Sequence, residues 1–597
     1  MMVKTKEICL RDLQVLVLDC QAAGGKPDTG FLLEIGWLRL LDNDILDPEL
    51  FRKKTESFLI KRAAENKIPR RVAKVTGIDS DDLKSGVPEK FVWTRLNSLA
   101  GKITKSTKLR FCPLVIHYSR YEEPFIRDLY EKHGGGGKFP FTIICTHQII
   151  GRLFPGLPRK GLRAVAGYFG LALPEFRRCR EHVPATAYIW GHLIRLLEKD
   201  QNIYTFEDLE DWMRAPPLYS NEKSRRCDYP MGKKYLIDLP DTPGIYRMYR
   251  STGDLLYIGK ARSLKKRVNS YFTGKKQHAE HILEMLSQAR SLDISLTNTA
   301  LEAAVRESDE IKHYVPPYNR SLKEQGRDLV FFNQALDKVS TRAGPELTLG
   351  PFPHQRSLIP LRNIMDILKE RDKKITFGSI EAILNIQPEF SPEPVCFIQG
   401  MDLFRMEYFK DRAADINLAA LNRLGVIFWK EKLDALKDSK EKDKQEDEKV
   451  SEISDSSAAE EAPALGWTPE KIRAALKSII RTGIFYIRRA HWFCSLCEST
   501  IVWKAYKGDF YFLLRIEAGN FPAAESLDPE GKIPQPVGYK KNRLERQKGF
   551  DVVTYDRMRV LTTEIRRILS EGREVKICFS PHLTLRTDQI KKILQWV

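Results

Sequence analysis

The period of the apolar positions changes several times along the chain, and the changes mark its elements. VLVLDC is a continuous apolar run ending at Asp19, and FLLEIGWLRL forms a second, so both read as buried strands. Residues 242–272, TPGIYRMYRSTGDLLYIGKARSLKKRVNSYF, hold two short strand-like runs, each with a Tyr beside a Gly, and then a densely basic stretch in which Ser263 to Tyr271 fits a helix. Gly134 to Gly137 predict a flexible loop, because four glycines sustain neither helix nor strand. Around 200–235 the chain turns polar, with a helix-like TFEDLEDWM followed by Pro216-Pro217 and KSRRCDYPMGKK, which predicts a linker. From Lys430 to Ala462 there are twelve acids, seven bases and no aromatic residue, a composition that predicts a disordered charged linker. Beyond it KIRAALKSII, GIFYIRRAHWFC, TIVWKAYKGDFYFLLRIEAG, MRVLTTEIRRIL and EVKICFSP alternate helix-like and strand-like runs, predicting a small α+β domain at 465–597 of unknown role. No internal repeat stands out.

At 597 residues the chain should hold three or four domains. A net charge of +19 favours a polyanionic partner, although an anionic membrane or an acidic protein would also suit it. No apolar run reaches the length of a membrane span, and MMVKTKEICLRDLQVLVLDC lacks the apolar core and cleavage site of a secretion signal. The ten cysteines, scattered singly but for one pair, fit reduced thiols, so cytoplasm is the expected compartment. The pair Cys494-Ser-Leu-Cys497 reads as two strand or turn cysteines, since zinc needs four ligands and only His491 is near enough to join them.

Between Tyr257 and Lys276 lie Lys260, Arg262, Lys265, Lys266, Arg267, Lys275 and Lys276 with no acid among them, and Tyr257, Tyr271 and Phe272 are interleaved. Such a surface suits a phosphodiester backbone, and the four-residue spacing of Arg267 and Tyr271 puts both on one helix face. Composition alone allows a plain hairpin with packed tyrosines and a solvated basic helix. The ordered series Gly244-Ile245-Tyr246, Tyr257-Ile258-Gly259, Lys260, Arg267 and Tyr271 resembles the GIY-YIG nuclease module of the UvrC/Cho excision-repair type. LEAAVRESDEIKHYVPPYN resembles the acidic helix of that family, with Glu307 where its metal-ligating carboxylate belongs and Asn319 where its amide belongs; Glu302, Asp309 and Glu310 are then surface or alternative acids.

This resemblance implies hydrolysis of a DNA phosphodiester with one Mg²⁺ or Mn²⁺ held by Glu307, a hard cation that keeps most of its waters. Tyr246 or Tyr257 would take the proton of the attacking water; a phenol with a free pKa near ~10 needs help from Lys260 or the metal, and the sequence leaves the choice of tyrosine open. Arg267 would clamp the phosphate, Asn319 would orient the water or a tyrosine hydroxyl, and Tyr271, Gly259, Arg262, Lys265 and Lys266 would face the substrate. The implied partner is double-stranded DNA, damaged, with recognition supplied by other repair proteins.

Residues 8–200 resemble the DEDD-type 3′-to-5′ exonucleases, the group of the DNA polymerase III epsilon subunit: VLVLDCQAAGG opens the region, VIHYSRYEEPFI stands for the second acidic motif and REHVPATAYIWGHLIRLL for the last. That chemistry needs four carboxylates around two cations, and a histidine. Asp19 survives, but Gln21 stands for its partner, Glu122 for an aspartate, and five residues after His182 comes Ala187. With Glu34 and Glu181 as poor substitutes, the domain reads as an exonuclease fold kept for binding or positioning.

The expected fold class is multidomain α/β: an RNase H-like exonuclease fold at 8–200, a linker at 201–235, a small GIY-YIG domain with an antiparallel sheet at 236–325, a UvrC-like extension at 326–429, a linker at 430–464 and the C-terminal α+β domain. The extension begins with LGPFPHQRSLIPLRNIMDILKE; it carries only Cys396, which argues against an iron–sulfur centre, and neither a partner-binding helix pair nor a second nuclease domain of UvrC type is evident. A single-strand DNA endonuclease is the first reading. A catalytically quiet repair scaffold and a proofreading exonuclease are the alternatives.

Overall fold

In a computed structural model the described residues are 8–62, 67–172, 177–216, 227–232, 238–273, 278–320, 328–369, 375–386, 390–410, 416–443, 466–506, 508–527, 543–580 and 582–597. The chain divides into two compact units, Met1–Thr297 with Tyr314–Arg320, and Asn298–His313 with Ser321–Val597. Pro217, Lys275, Lys276 and residues 444–464 of the expected linker lie outside the described residues.

The first unit opens with a five-stranded sheet in the order β3-β2-β1-β4-β5, built from β1 (Val15–Ala22), β2 (Leu32–Leu40), β3 (Glu56–Leu59), β4 (Cys112–Ile116) and β5 (Phe141–Cys145). β1 to β3 form an antiparallel meander, and β4 and β5 continue the sheet in parallel, the RNase H-like arrangement. β1 is buried along most of its length because both faces are covered, which explains its unbroken apolar run. The helix Cys179–Gln201 covers one face through Val183, Ala187, Trp190, Leu193 and Ile194.

The same unit holds a three-stranded antiparallel sheet, β7-β6-β8, made of β6 (Gly244–Tyr249), β7 (Leu255–Ala261) and β8 (Ser291–Leu296). The β6–β7 turn is closed by Arg250 and Asp254, with Gly253 at φ 86°, a conformation that favours glycine. The two sheets' domains are joined within this unit by close packing and polar contacts. Gly167 lies against the Gln288 side chain, Arg159 N donates to Ser287 Oγ at 2.9 Å, and Arg290 donates to Tyr168 O at 3.0 Å.

The second unit contains a small sheet, β10-β9-β11, of β9 (Val330–Phe332), β10 (Val339–Ser340) and β11 (Leu349–Phe352), and a five-stranded antiparallel sheet, β14-β13-β12-β15-β16. The latter comprises β12 (Ser499–Lys504), β13 (Tyr511–Ile516), β14 (Glu525–Leu527), β15 (Val575–Ser580) and β16 (Leu583–Leu585), packed with the helix Val552–Ser570. KIRAALKSII and GIFYIRRAHWFC are not separate runs but one helix, Pro469–Leu496; Gly483 does not break it because it gives Leu361 room to approach. The expected disordered linker also begins too early. Residues 430–443 continue the helix Leu418–Asp443, anchored by buried Phe428 and by a Lys477–Glu431 pair at 3.5 Å, and Glu/Lys-rich sequence extends a helix readily.

The segment 298–313 follows the first unit in sequence but belongs to the second. On the helix Ala300–Tyr314, Leu301 and Val305 enter the C-terminal core. Asp309 receives Arg557 Nε and Nη2, one edge of the guanidinium, at 3.0 Å each, and buried Lys312 pairs with buried Asp556 at 3.4 Å. Glu302 accepts from Ala524 N.

Candidate active site

The register of β6 and β7 explains the double Tyr/Gly pattern. Tyr246 stands opposite Gly259 and Met248 opposite Tyr257, so both tyrosines rise from one face of the hairpin. A Cβ at position 259 would overlap the Tyr246 hydroxyl and ring, so glycine is what lets that ring lie across the neighbouring strand. Gly244 is likewise crowded by Ser295 O and Leu264.

The Tyr246 hydroxyl lies 2.9 Å from that of Tyr271, which receives Arg267 Nη2 at 3.1 Å; the guanidinium carbon also sits 5.0 Å from the Tyr271 ring centre. The helix expected over Ser263 to Tyr271 spans only Leu264–Asn269, capped by Ser263; it carries Arg267, and Tyr271 lies in the turn that follows, its N–H donating to Val268 O at 3.1 Å. His278 lies 3.1 Å from Tyr271 O, a support that no motif in the sequence marks. Tyr246 is fully buried, and burial first, then the neighbouring Tyr257 and Tyr271, pushes its pKa well above the ordinary value despite Arg267. Tyr257 is only half-buried, 6.1 Å from Tyr246 between ring centres. Lys260 is half-buried, and Arg262, Lys265 and Lys266 are exposed, forming a cationic rim.

Asn319 differs from expectation. Its Oδ1 accepts from Ile258 N at 3.0 Å and its Nδ2 donates to Ile258 O at 2.8 Å, so both ends of the amide brace the strand between Tyr257 and Gly259 rather than aim at a hydroxyl. Glu307 is a half-buried residue of the helix Ala300–Tyr314 in the second unit. The alternative acids on that helix are engaged, Glu302 and Asp309 as above and Glu310 with Arg306 at 3.1 Å. A single carboxylate offers hard oxygen donors, which fits a hydrated Mg²⁺ or Mn²⁺ and not a multidentate zinc site. Among the described residues no group of three or more His, Cys, Asp or Glu is arranged to hold a metal. Cys494 and Cys497 sit at the end of the long helix, where Cys494 donates to Gly350 O and Cys497 to Cys494 O.

The exonuclease-like residues are also brought together. Gln21 Nε2 lies 3.1 Å from Asp19 Oδ2 and 3.2 Å from His182 Nδ1, and His182 Nδ1 lies 3.2 Å from Asp19 Oδ1. Burial opposes protonation of His182, but the charge and hydrogen bond of Asp19 outweigh it and raise the pKa. Glu122, at the start of the helix Ser119–His133, is buried with no hydrogen-bond partner for Oε2, and burial followed by repulsion from Asp19 raises its pKa strongly. Ala187 is fully buried in the core. Glu34 is held by Arg178 at 2.9 Å and by Ser57 at 2.8 Å, and Glu181 caps its own helix through Arg178 N, so neither replaces the missing carboxylates.

Beside this cluster, within the first unit, a cleft of about 570 Å³ is lined by Tyr118, His147, Arg159, Lys160, Arg163 and Arg320, among others. Tyr118 stacks on Tyr121 at 5.0 Å between ring centres. Arg159 pairs with Glu280, and Arg163 with Glu284 at 3.6 Å.

Residues 242–320 match the family model of the UvrC-like GIY-YIG domain. The chain is 34% identical over 140 residues to a UvrABC system protein C of Stenotrophomonas maltophilia, a match spanning 22% of this chain and 23% of the relative. It is 25% identical over 361 residues to a putative bifunctional exonuclease/endonuclease protein of Mycobacterium tuberculosis, spanning 58% of this chain and 51% of that one. The chain therefore spans between about a quarter and half of the length of these relatives. Among solved structures, the GIY-YIG N-terminal endonuclease domain of Thermotoga maritima UvrC, bound to its catalytic divalent cation magnesium, is 31% identical with a TM-score of 0.14, covering 15% of this chain and 93% of that chain. The nuclease domain of 3′hExo, a DEDDh family member, is 14% identical with a TM-score of 0.24, covering 32% of this chain and 93% of that one. The described residues include no helix long and apolar enough to cross a membrane.

Proposed function

We propose that the chain is a divalent-metal-dependent endonuclease that nicks one strand of duplex DNA, in the manner of excision repair, with damaged DNA delivered by other repair proteins. The observation that carries this reading is the connected Tyr246–Tyr271–Arg267 cluster packed over Gly259.

Glu307 would hold one Mg²⁺ or Mn²⁺, which supplies positive charge for the scissile phosphate and the leaving oxygen. Tyr257, half-buried at the face of the hairpin, takes the proton of the attacking water, with Lys260 favouring the phenolate. Tyr246 is unsuited to that task because burial holds its proton. It positions Tyr271, which fixes the Arg267 fork against the phosphate oxygens. Lys265, Lys266 and Arg262 hold the flanking backbone by charge.

The first domain acts as a strand holder. Gln21 and His182 satisfy the Asp19 carboxylate that two cations would otherwise need, and the cleft with Tyr118, Lys160 and Arg320 joins aromatic and cationic groups as a single strand requires.

The test is incision of an end-labelled duplex carrying one bulky lesion, with Mg²⁺ or Mn²⁺ and with repair partners added. Discrete nicks lost in Glu307→Gln but kept in the Asp19→Asn, Glu122→Gln double variant are expected. Nicks that survive Glu307→Gln would remove the assigned ligand. No cut under any metal would replace the endonuclease by a nucleic-acid-binding scaffold.

A further inference from the structure

The C-terminal domain has a pocket of about 660 Å³ that no part of the nuclease reading uses. Trp492, Phe579 and Trp596 supply much of its apolar wall, and Arg488, Arg546 and Lys592 supply three cations; among the described residues its lining contains no Asp or Glu, and the Val597 terminal oxygen in it is bonded by Arg566. These residues come from the long helix Pro469–Leu496, the helix Arg543–Lys548, β15 and the final helix Thr587–Leu594 with the residues after it, so they converge only in the folded domain.

Arg488 has the most telling environment. It is half-buried, its Nε is buried without a hydrogen-bond partner, and burial alone depresses its pKa, with no carboxylate acting against it. Its guanidinium carbon lies 5.4 Å from the Trp596 ring centre, a face contact that leaves the in-plane N–H donors available. A partly desolvated cation without a counter-charge is costly to keep, and an anion entering the pocket would relieve that cost. Trp492 uses its only polar group internally, Nε1 donating to Thr562 Oγ1 at 3.0 Å, so it offers the pocket apolar ring surface alone.

We propose that this pocket binds a phosphate monoester carried on a flat aromatic body, that is, a nucleotide. A carboxylate brings one negative charge to Arg488, whereas a phosphate monoester brings about 1.5 to 2, with oxygens that match a guanidinium fork. The aromatic walls suit a base, and the volume falls in the range of small-ligand sites, on the order of 300–1,000 Å³. The nucleotide comes either free or as the 5′-phosphorylated end of a strand.

Isothermal titration of the full chain in the presence of a chelator, which prevents cleavage, decides the matter. The probes are deoxyadenosine 5′-monophosphate, deoxyadenosine, and a trinucleotide with and without a 5′-phosphate. Saturable binding of the monophosphate at least tenfold tighter than the nucleoside is expected. Arg488→Met should weaken it tenfold or more while raising the melting temperature of the unliganded protein, because an uncompensated charge is removed. Lys592→Gln, at an exposed residue, should weaken it severalfold and carries the test even if the first variant fails to fold. A matching preference for the phosphorylated trinucleotide identifies a strand end, and binding of the mononucleotide alone identifies a free nucleotide. Equal affinity for monophosphate and nucleoside, or parental affinity in both variants, would overturn the proposal.

Discussion

The tyrosine site on the β6–β7 hairpin and the carboxylate cluster on β1 lie in the same unit and handle charge in opposite ways. At the hairpin, Arg267 is fixed by phenols that carry no charge of their own, so its positive field is preserved for an anion. At β1, Asp19 is met by Gln21 and His182, and Glu122 is pushed toward its neutral form. The first arrangement holds its cation without neutralising it; the second meets the Asp19 charge internally and leaves Glu122, its Oε2 unpartnered, held toward neutrality. Fold alone therefore says little about activity, and the balance of charge within each cluster says more.

The largest effect should follow from filling the space under Tyr246. Gly259→Ala is expected to displace the ring, costing about 100-fold in incision rate through misplacement of the cluster and about 1–3 kcal/mol in stability through overpacking. Single-turnover nicking with a parallel thermal melt checks both, and an active, stable Ala variant would show that the ring need not cross the strand. Asn319→Ala removes both hydrogen bonds to Ile258 and should cost about 1–3 kcal/mol. If the amide only braces the strand, activity returns on cooling below the lowered melting point; if it also orients the water, the loss persists when the protein is fully folded.

The smallest effect is at the other cluster, and it has the opposite sign. Because the folded-state pKa of Glu122 is raised, the unfolded chain ionises first as pH climbs past 4.5, and stability falls from there until the folded pKa is reached. Glu122→Gln should abolish that fall and raise the melting temperature at neutral pH by roughly 2–4 °C. Melts from pH 4 to 8 that show parallel curves for the two proteins would mean the carboxyl is ionised in the fold, and the contrast between the clusters would narrow.

Much of the hairpin site was legible because its residues follow one another at fixed spacings. Tyr246, Gly259, Arg267 and Tyr271 sit on two paired strands, one short helix and the turn that follows it, where local register decides what meets. The β1 strand was legible for the same reason, its apolar run ending at Asp19. Asn319 was assigned a different task because its position in sequence does not reveal that Ile258 exposes an N–H and a C=O toward it. The C-terminal pocket left no trace in the sequence, since Arg488, Arg546, Phe579 and Trp596 are brought together only by tertiary packing. The helix Leu418–Asp443 outran its expected end because composition reports on solvation and misses an anchor such as Phe428 packed near its middle.

The acidic helix Ala300–Tyr314 lies inside the nuclease stretch of the sequence, yet its mechanical allegiance is to the C-terminal domain, through Asp309–Arg557 and Lys312–Asp556. Cutting the chain at 325 would remove Asp556 and Arg557 and lay Leu301 and Val305 open to water, at about 1.5–3 kcal/mol for each apolar side chain exposed. The segment that reads as a self-contained cutting tool thus has its acidic helix footed in the domain that no motif identifies.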